Sequence, residues 1–296
     1  MDLSIIVIFY DMVREAERTL LSLSRPYQCN VAALDYEIIA IDNASADPLP
    51  PALLGQLGPG ISYHFHQTDS PSPVDAINMG IGLARGRHVA VIVDGARMAS
   101  PGLVSRTCQA TRIFDNPVIA SLSWHIGPKV QNLSMLDGYN QAVEDELLEQ
   151  AGWIDDGYRL FEISALAQSS APGFFGGFPP EASWLCASQE YWMKLGGYDP
   201  RFQSPGGGLV NHDVVNRIAA DTSVSPIVLL GEGVFHQYHG GVATNVELKN
   251  HPGKRFKEEF LSIRGEEYSP MKMGHVSYFG DLCPAARRFI SFYPAQ

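Results

Sequence analysis

Cysteine is scarce in this chain, and positive charge is outweighed. Only four of its 296 residues are cysteines (Cys29, Cys108, Cys186 and Cys283). None pairs with another at Cys-x-x-Cys spacing, which excludes a zinc ribbon or a dithiol redox motif; reduced, mostly buried thiols are expected. Lys and Arg number 21 against 32 Asp and Glu, a net charge of −11. Nucleic acid and anionic membrane attract positive surface, so neither is expected as a general partner. No apolar run reaches the length of a membrane span, and the opening Met1-Asp2-Leu3 lacks a basic n-region. The expectation is a cytoplasmic protein with no integral membrane segment. A glycine-rich phosphate loop is also missing. Tyr10-Asp11-Met12-Val13 stands where a Rossmann dehydrogenase or a nucleotidyltransferase would carry one.

What is present is ordinary for a globular α/β protein: 45% hydrophobic and 18% charged residues, in a chain long enough to bury a full core without disulfides. Residues 3–9 and 36–41 are short, continuous, β-rich apolar runs, and 12–24 between them carry apolar residues at helical spacing. Further strands are predicted over 61–66, 88–93, 118–124, 184–188 and 226–235. Helices are predicted over 51–57, 73–84, 141–151, 189–195 and 212–220, and one after Pro101 runs to about 114. Residues 169–183, rich in Ser, Gly, Phe and Pro, read as a long loop. The tail from 245 onward is expected to wrap the domain. Fully apolar strands alternating with helices imply a mostly parallel sheet covered on both faces. Ligands of such sheets bind beyond the carboxyl ends of the strands. Asp11, Asp42 and Asp94 all follow strand ends. An ionised carboxylate accepts from the N–H groups of a nucleobase edge. Asp42 is therefore a candidate for the base, with Tyr10, next to Phe9, packing on its ring. A turn-forming role for Asp42 is the ordinary alternative, since Asn43, Ser45 and Asp47 are all turn formers.

Four segments in order resemble a known family. Ser4-Ile-Ile-Val-Ile-Phe-Tyr10, Asp42-Asn43-Ala-Ser45-Ala-Asp47, Asn78-Met-Gly80 with Ala84 and Gly86, and Leu195-Gly-Gly-Tyr-Asp199 are similar to motifs of family-2 glycosyltransferases of the GT-A fold. The likeness spans roughly residues 3–245. It implies a single α/β domain with a mostly parallel central sheet flanked by helices. Residues 1–125 would form a Rossmann-like nucleotide-sugar-binding half, 126–245 an acceptor and catalytic half, and 246–296 a C-terminal extension. The implied activity is transfer of a sugar from a nucleotide diphosphate donor to a glycan or small-molecule acceptor, with inversion. Phe9, Tyr10, Asp11, Asp42, Asn78, Asp94 and Arg97 are the nucleotide-binding candidates.

The pattern breaks at Asp94-Gly95-Ala96. Relatives carry D-x-D here, and the last aspartate usually ligates Mn²⁺ or Mg²⁺; Ala96 ligates nothing, which puts the divalent cation in doubt. Two substitutes are visible. His236 and His239, after an apolar strand, could join Asp94 in a site for a borderline metal. Arg97 could clamp phosphate oxygens, as could the cluster Lys249, Lys254, Arg255 and Lys257, for which a solvated helix face is the ordinary alternative. The acceptor's proton needs a base. Matching the family's acidic pair to His212-Asp213 makes Asp213 the base, with His212 orienting it or acting itself. A shifted match, from the spacing of Asp213 to Arg217, puts Asn211 at the base position instead. Trp184 is the acceptor-stacking candidate. Trp153, Tyr158, Phe174 and the Phe175–Phe178 stretch are weaker candidates, with core packing or a turn as their alternative. The competing function is a degenerate relative that binds a nucleotide or nucleotide sugar without turnover.

Overall fold

The computed structural model describes residues 1–56, 58–168 and 170–290. Ten strands form one sheet: β1 (Leu3–Phe9), β2 (Tyr36–Asp42), β3 (Ile61–Phe65), β4 (His88–Ile92), β5 (Arg97–Ala99), β6 (Pro117–Ile126), β7 (Ser164–Leu166), β8 (Leu185–Ser188), β9 (Ser225–His236) and β10 (Ser277–Gly280). The order is β10-β9-β6-β8-β4-β1-β2-β3, with β5 paired to β9 and β7 to β6. The pairs β3–β2–β1–β4 and β6–β9–β10 are parallel, and β8 runs antiparallel between the two blocks. Two parallel blocks joined through one reversed strand share a direction, so their carboxyl ends lie along one edge.

Among the described residues nine α-helices cover the sheet: α1 (Val13–Leu23), α2 (Pro51–Gln56), α3 (Val74–Leu83), α4 (Leu103–Ile113), α5 (Gln131–Ser134), α6 (Gln141–Ala151), α7 (Gln189–Leu195), α8 (Val210–Ala219) and α9 (Gly253–Arg264). The pleat divides β1 between two cores. Leu3, Ile5, Val7 and Phe9 pack with Ala16, Leu20 and Leu23 of α1 and with Leu103 and Val104 of α4. Ile6 and Ile8 pack with Ile77 and Ile81 of α3 and with Val214 and Ile218 of α8. A third cluster gathers Trp124, Phe161, Phe174, Phe235 and Phe289.

The sheet is mixed α/β and mostly parallel, as expected from the apolar runs. Several elements depart from the expectation. β5, β7 and α5 lie where no strand or helix was predicted. The tail supplies α9, which buries Phe256 and Phe260, and the edge strand β10. α8 begins at Val210, which brings Asn211 into its first turn.

The family-like motifs on α3 act in packing. A Cβ on Gly80 would stand 2.6 Å from Ile6 Cγ2 and 2.9 Å from Ile41 Cδ1, so only glycine lets α3 lie this close to the sheet. Two residues earlier, Asn78 brackets the backbone of Tyr198, donating from Nδ2 to its carbonyl (2.8 Å) and accepting from its N–H at Oδ1 (2.9 Å).

Candidate functional site

The carboxyl ends of β1, β2, β4 and β9 meet at one cavity of about 560 Å³. Phe9, Tyr10 and Asp11 line it from β1, Asn43 from β2, Val93 and Asp94 from β4, and Arg97 from β5. His239 to Thr244 close it from the loop after β9, and Glu181, Ser183, Pro205, Gly206, Gly208 and Asn211 close it from the segments leading into β8 and α8.

The loops are locked to each other. The Asp11 N–H donates to Ser45 Oγ (2.8 Å), and Asp11 Oδ1 accepts from the Ala46 N–H (2.8 Å). Asp11 holds a φ of 50°, a left-handed conformation that aspartate tolerates better than most residues. Asp42 is fully buried beneath this loop; it accepts from the Ser45 N–H (2.8 Å) and the Tyr63 hydroxyl (3.1 Å). It does not line the cavity; its neighbour Asn43 does. Asn43 Nδ2 donates to the Ser72 carbonyl (3.2 Å), which leaves its buried Oδ1 with no hydrogen-bond partner. Tyr10 is 55% exposed at the rim, so its ring is free to receive a planar ligand.

Asp94, His236 and His239 converge. The strand pair β5–β9 sets Arg97 opposite His236, and the turn from β4 to β5 carries Asp94 to the same place. Gly95 makes that turn fit, because a Cβ there would stand 2.3 Å from the Phe9 ring. His236 Nε2 lies 2.8 Å from Asp94 Oδ2 and 3.1 Å from His239 Nε2, and His239 Nε2 lies 3.7 Å from Asp94 Oδ1. Arg97 Nη2 is 3.5 Å from Asp94 Oδ2.

The hydrogen bonds behind His236 decide its tautomer. Gln131 Nε2 donates to the His236 carbonyl (2.9 Å), so Gln131 Oε1, which also accepts from Asn245 Nδ2 (3.0 Å), faces His236 Nδ1 at 2.8 Å. An amide oxygen accepts, so the proton sits on Nδ1. Burial pushes the imidazolium of His236 down to about 4. Burial opposes charge on Asp94 too, but the neighbouring His236, His239 and Arg97 hold its carboxyl well below the usual carboxylate range. His236 Nε2 faces Asp94 Oδ2 at 2.8 Å, and with His239 beside them the three side chains could hold a cation. Donors each ~2.1 Å from one ion stand roughly 3.0–3.4 Å apart, and the separations of 2.8, 3.1 and 3.7 Å straddle that range. Two imidazoles and a carboxylate fit Mn²⁺ or Zn²⁺ better than Mg²⁺. Ala96 is not an empty ligand position facing this site: it is fully buried in the core cluster that holds Phe9, and its carbonyl accepts from the Gln237 N–H (2.8 Å).

Several predicted site residues lie elsewhere. Asn78 is committed to Tyr198. Trp184 is fully buried and donates to Thr107 Oγ1 (3.2 Å), so its face offers nothing to a sugar. Trp153 and Phe174 are buried, the Tyr158 hydroxyl donates to Glu232 (2.8 Å), and 175–178 form a turn. Lys249, Lys254, Arg255 and Lys257 are exposed and outside the cavity lining, with Lys249 and Lys254 paired to Glu247 and Glu258. Asp213 is buried and fully engaged: Arg264 donates through Nε to Oδ1 (2.6 Å) and through Nη2 to Oδ2 (2.7 Å), and Arg217 Nε donates to Oδ2 (2.9 Å). It ties α8 to α9 and does not line the cavity. The i,i+4 pair it makes with Arg217 fits the shifted match, which places Asn211 at the cavity. Glu181, Asn43 and the 240–244 loop were missed by sequence reading; for Glu181 the available signal was its place in a long loop leading into a strand.

A mostly parallel sheet flanked by helices, with a cavity across the carboxyl ends of β1, β2 and β4, is a GT-A-like fold. S. aureus TarS (residues 1–349) has a similar solved structure: TM-score 0.54 and 13% identity, over 80% of this chain and 60% of that one. The complex of the same fragment with UDP-GlcNAc gives a TM-score of 0.56 at 13% identity, over 88% and 67%. Its complex with UDP gives 0.53 at 13%, over 81% and 61%. The chain thus spans about 60% of the first of these relatives. No family model and no curated protein matches it in sequence.

Proposed function

We propose that this protein is a nucleotide-sugar-dependent glycosyltransferase of the hexosyltransferase type, working in the cytoplasm on a hydroxyl acceptor with inversion. The observation that carries the reading is the convergence of Tyr10, Asp11, Asn43, Asp94, Arg97 and His239 on one cavity of about 560 Å³, within the roughly 300–1,000 Å³ typical of small-molecule sites. TarS fragments bind UDP and UDP-GlcNAc, which supports a uridine diphosphate sugar as donor. Tyr10 stacks on the base, and the unpartnered Asn43 Oδ1 accepts a base N–H. Arg97 offsets the charge of the diphosphate. A divalent cation held by Asp94, His236 and His239 would add charge stabilisation for the leaving diphosphate when bound. An activated donor sugar attacked from the face opposite the diphosphate gives inversion.

Nucleotide binding without turnover is the second reading, and the amide of Asn211 where relatives carry a carboxylate favours it. Thermal shift with UDP-, GDP- and TDP-sugars, each with Mn²⁺ or EDTA, tests the proposal. A ligand at 100 times its Kd stabilises by about 2.7 kcal/mol, a Tm rise on the order of 4 °C. UDP-GlcNAc with Mn²⁺ is expected to reach this, and His239→Ala is expected to lose the Mn²⁺-dependent part only. Failure of every nucleotide to shift the Tm would refute the site.

A further inference from the structure

We infer that Glu181, rather than Asp213, is the base that takes the proton of the acceptor hydroxyl; this rests on the glycosyl transfer proposed above. Among the described residues, three carboxylates line the cavity: Asp11, Asp94 and Glu181. Asp11 is held at the β1–β2 loop by the Ala46 N–H. Asp94 is committed to His236, His239 and Arg97. Asp213 is locked by two guanidiniums. Glu181 alone lies in the segment leading into β8, one third exposed, with no arginine or lysine paired to it among the described residues.

Behind Glu181 lies His212, fixed by two contacts. His212 Nδ1 is 3.0 Å from the Pro180 carbonyl, which accepts, so the ring proton sits on Nδ1. Tyr268 Oη, also 3.0 Å from Nδ1, shares that proton. His212 Nε2 then presents a lone pair 3.8 Å from Glu181 Oε2. Asn211, one residue earlier, lines the same cavity with a buried Oδ1 that has no hydrogen-bond partner, ready to accept from a second hydroxyl of a polyol.

The step balances as a displacement. The acceptor O–H bond breaks and its proton passes to a Glu181 carboxylate oxygen. The freed electron pair forms the new bond to the anomeric carbon. The bond from that carbon to the diphosphate oxygen breaks, and its pair leaves with the nucleoside diphosphate. Solvent then takes the proton from Glu181, whose side chain is one third exposed. Glu181 touches the reacting hydroxyl; His212 is a positioning residue.

The test measures UDP release from UDP-GlcNAc in the presence of water and of a panel of sugar and polyol acceptors, alongside the thermal shift produced by UDP. Glu181→Gln is expected to lower turnover by roughly 100- to 10,000-fold, with the KM for UDP-GlcNAc and the UDP thermal shift unchanged. Formate, a small external base, is expected to restore part of the turnover of Glu181→Ala, which a structural role would not allow. A Glu181→Gln protein as active as the parent overturns the assignment while leaving the proposed function standing, and so does loss of the UDP thermal shift together with activity. A parent protein that binds UDP but releases none from any donor with any acceptor overturns both the assignment and the proposed turnover.

Discussion

Replacing Asp213 separates a carboxylate that holds the fold from one that does chemistry. It is 1% exposed and accepts three charge-assisted bonds, two from Arg264 and one from Arg217. Removing one partner of a buried ion pair costs about 3–5 kcal/mol. Both arginines keep other acceptors here: Arg217 bonds the Leu195 carbonyl (2.9 Å) and the Gly197 carbonyl (2.7 Å), and Arg264 keeps Asp199 (2.8 Å). Both are also about a quarter exposed, so water screens the charges left behind. The expected cost of Asp213→Asn is therefore about 2–3 kcal/mol, a Tm fall of roughly 3–5 °C. Circular-dichroism melts measure the fall, and UDP release below the melt measures chemistry in the same sample. Arg264→Gln should lower the Tm similarly, and the double variant should fall short of the sum, because both remove one interaction. A Tm within about 1 °C of the parent, with turnover down 100-fold and UDP binding intact, would refute this reasoning and make Asp213 the base.

Two further outcomes follow from packing and burial. Glu144 is fully buried, accepting from the Tyr238 N–H (2.8 Å) and the Tyr139 hydroxyl (3.1 Å), and burial lifts its carboxyl from 4.5 to about 7. A proton held more tightly in the folded state lends stability that is full below the unfolded pKa and is lost as pH rises through 7. Urea titrations should therefore show the parent gaining about 3 kcal/mol on Glu144→Gln as pH falls from 8 to 4.5; a flat difference would refute the shift. Gly80→Ala should destabilise by about 1–3 kcal/mol through the clash with Ile6 and Ile41, and a neutral or stabilising result in urea melts would show that α3 has room to move.

Local information settled much of this protein. Short apolar runs ending in Asp, Asn or Ser announce buried strands and the loops beyond them, because burial pattern and turn chemistry are written within a few residues. The strands β1, β2 and β4, and the carboxylates Asp11, Asp42 and Asp94 at their ends, were legible for that reason. So was the pairing potential of Asp213 with Arg217, one helical turn apart. The tertiary structure decided which groups face the cavity. Asp94 meets His236 only because β5 pairs with β9 across more than a hundred residues. Asp213 loses its access because Arg264 arrives from α9, and Trp184, which reads as a sugar platform, turns into the core. Asn43, one residue past Asp42, reaches the cavity in its place. Facing is set by strand pairing and helix docking between distant segments, and no local pattern encodes it.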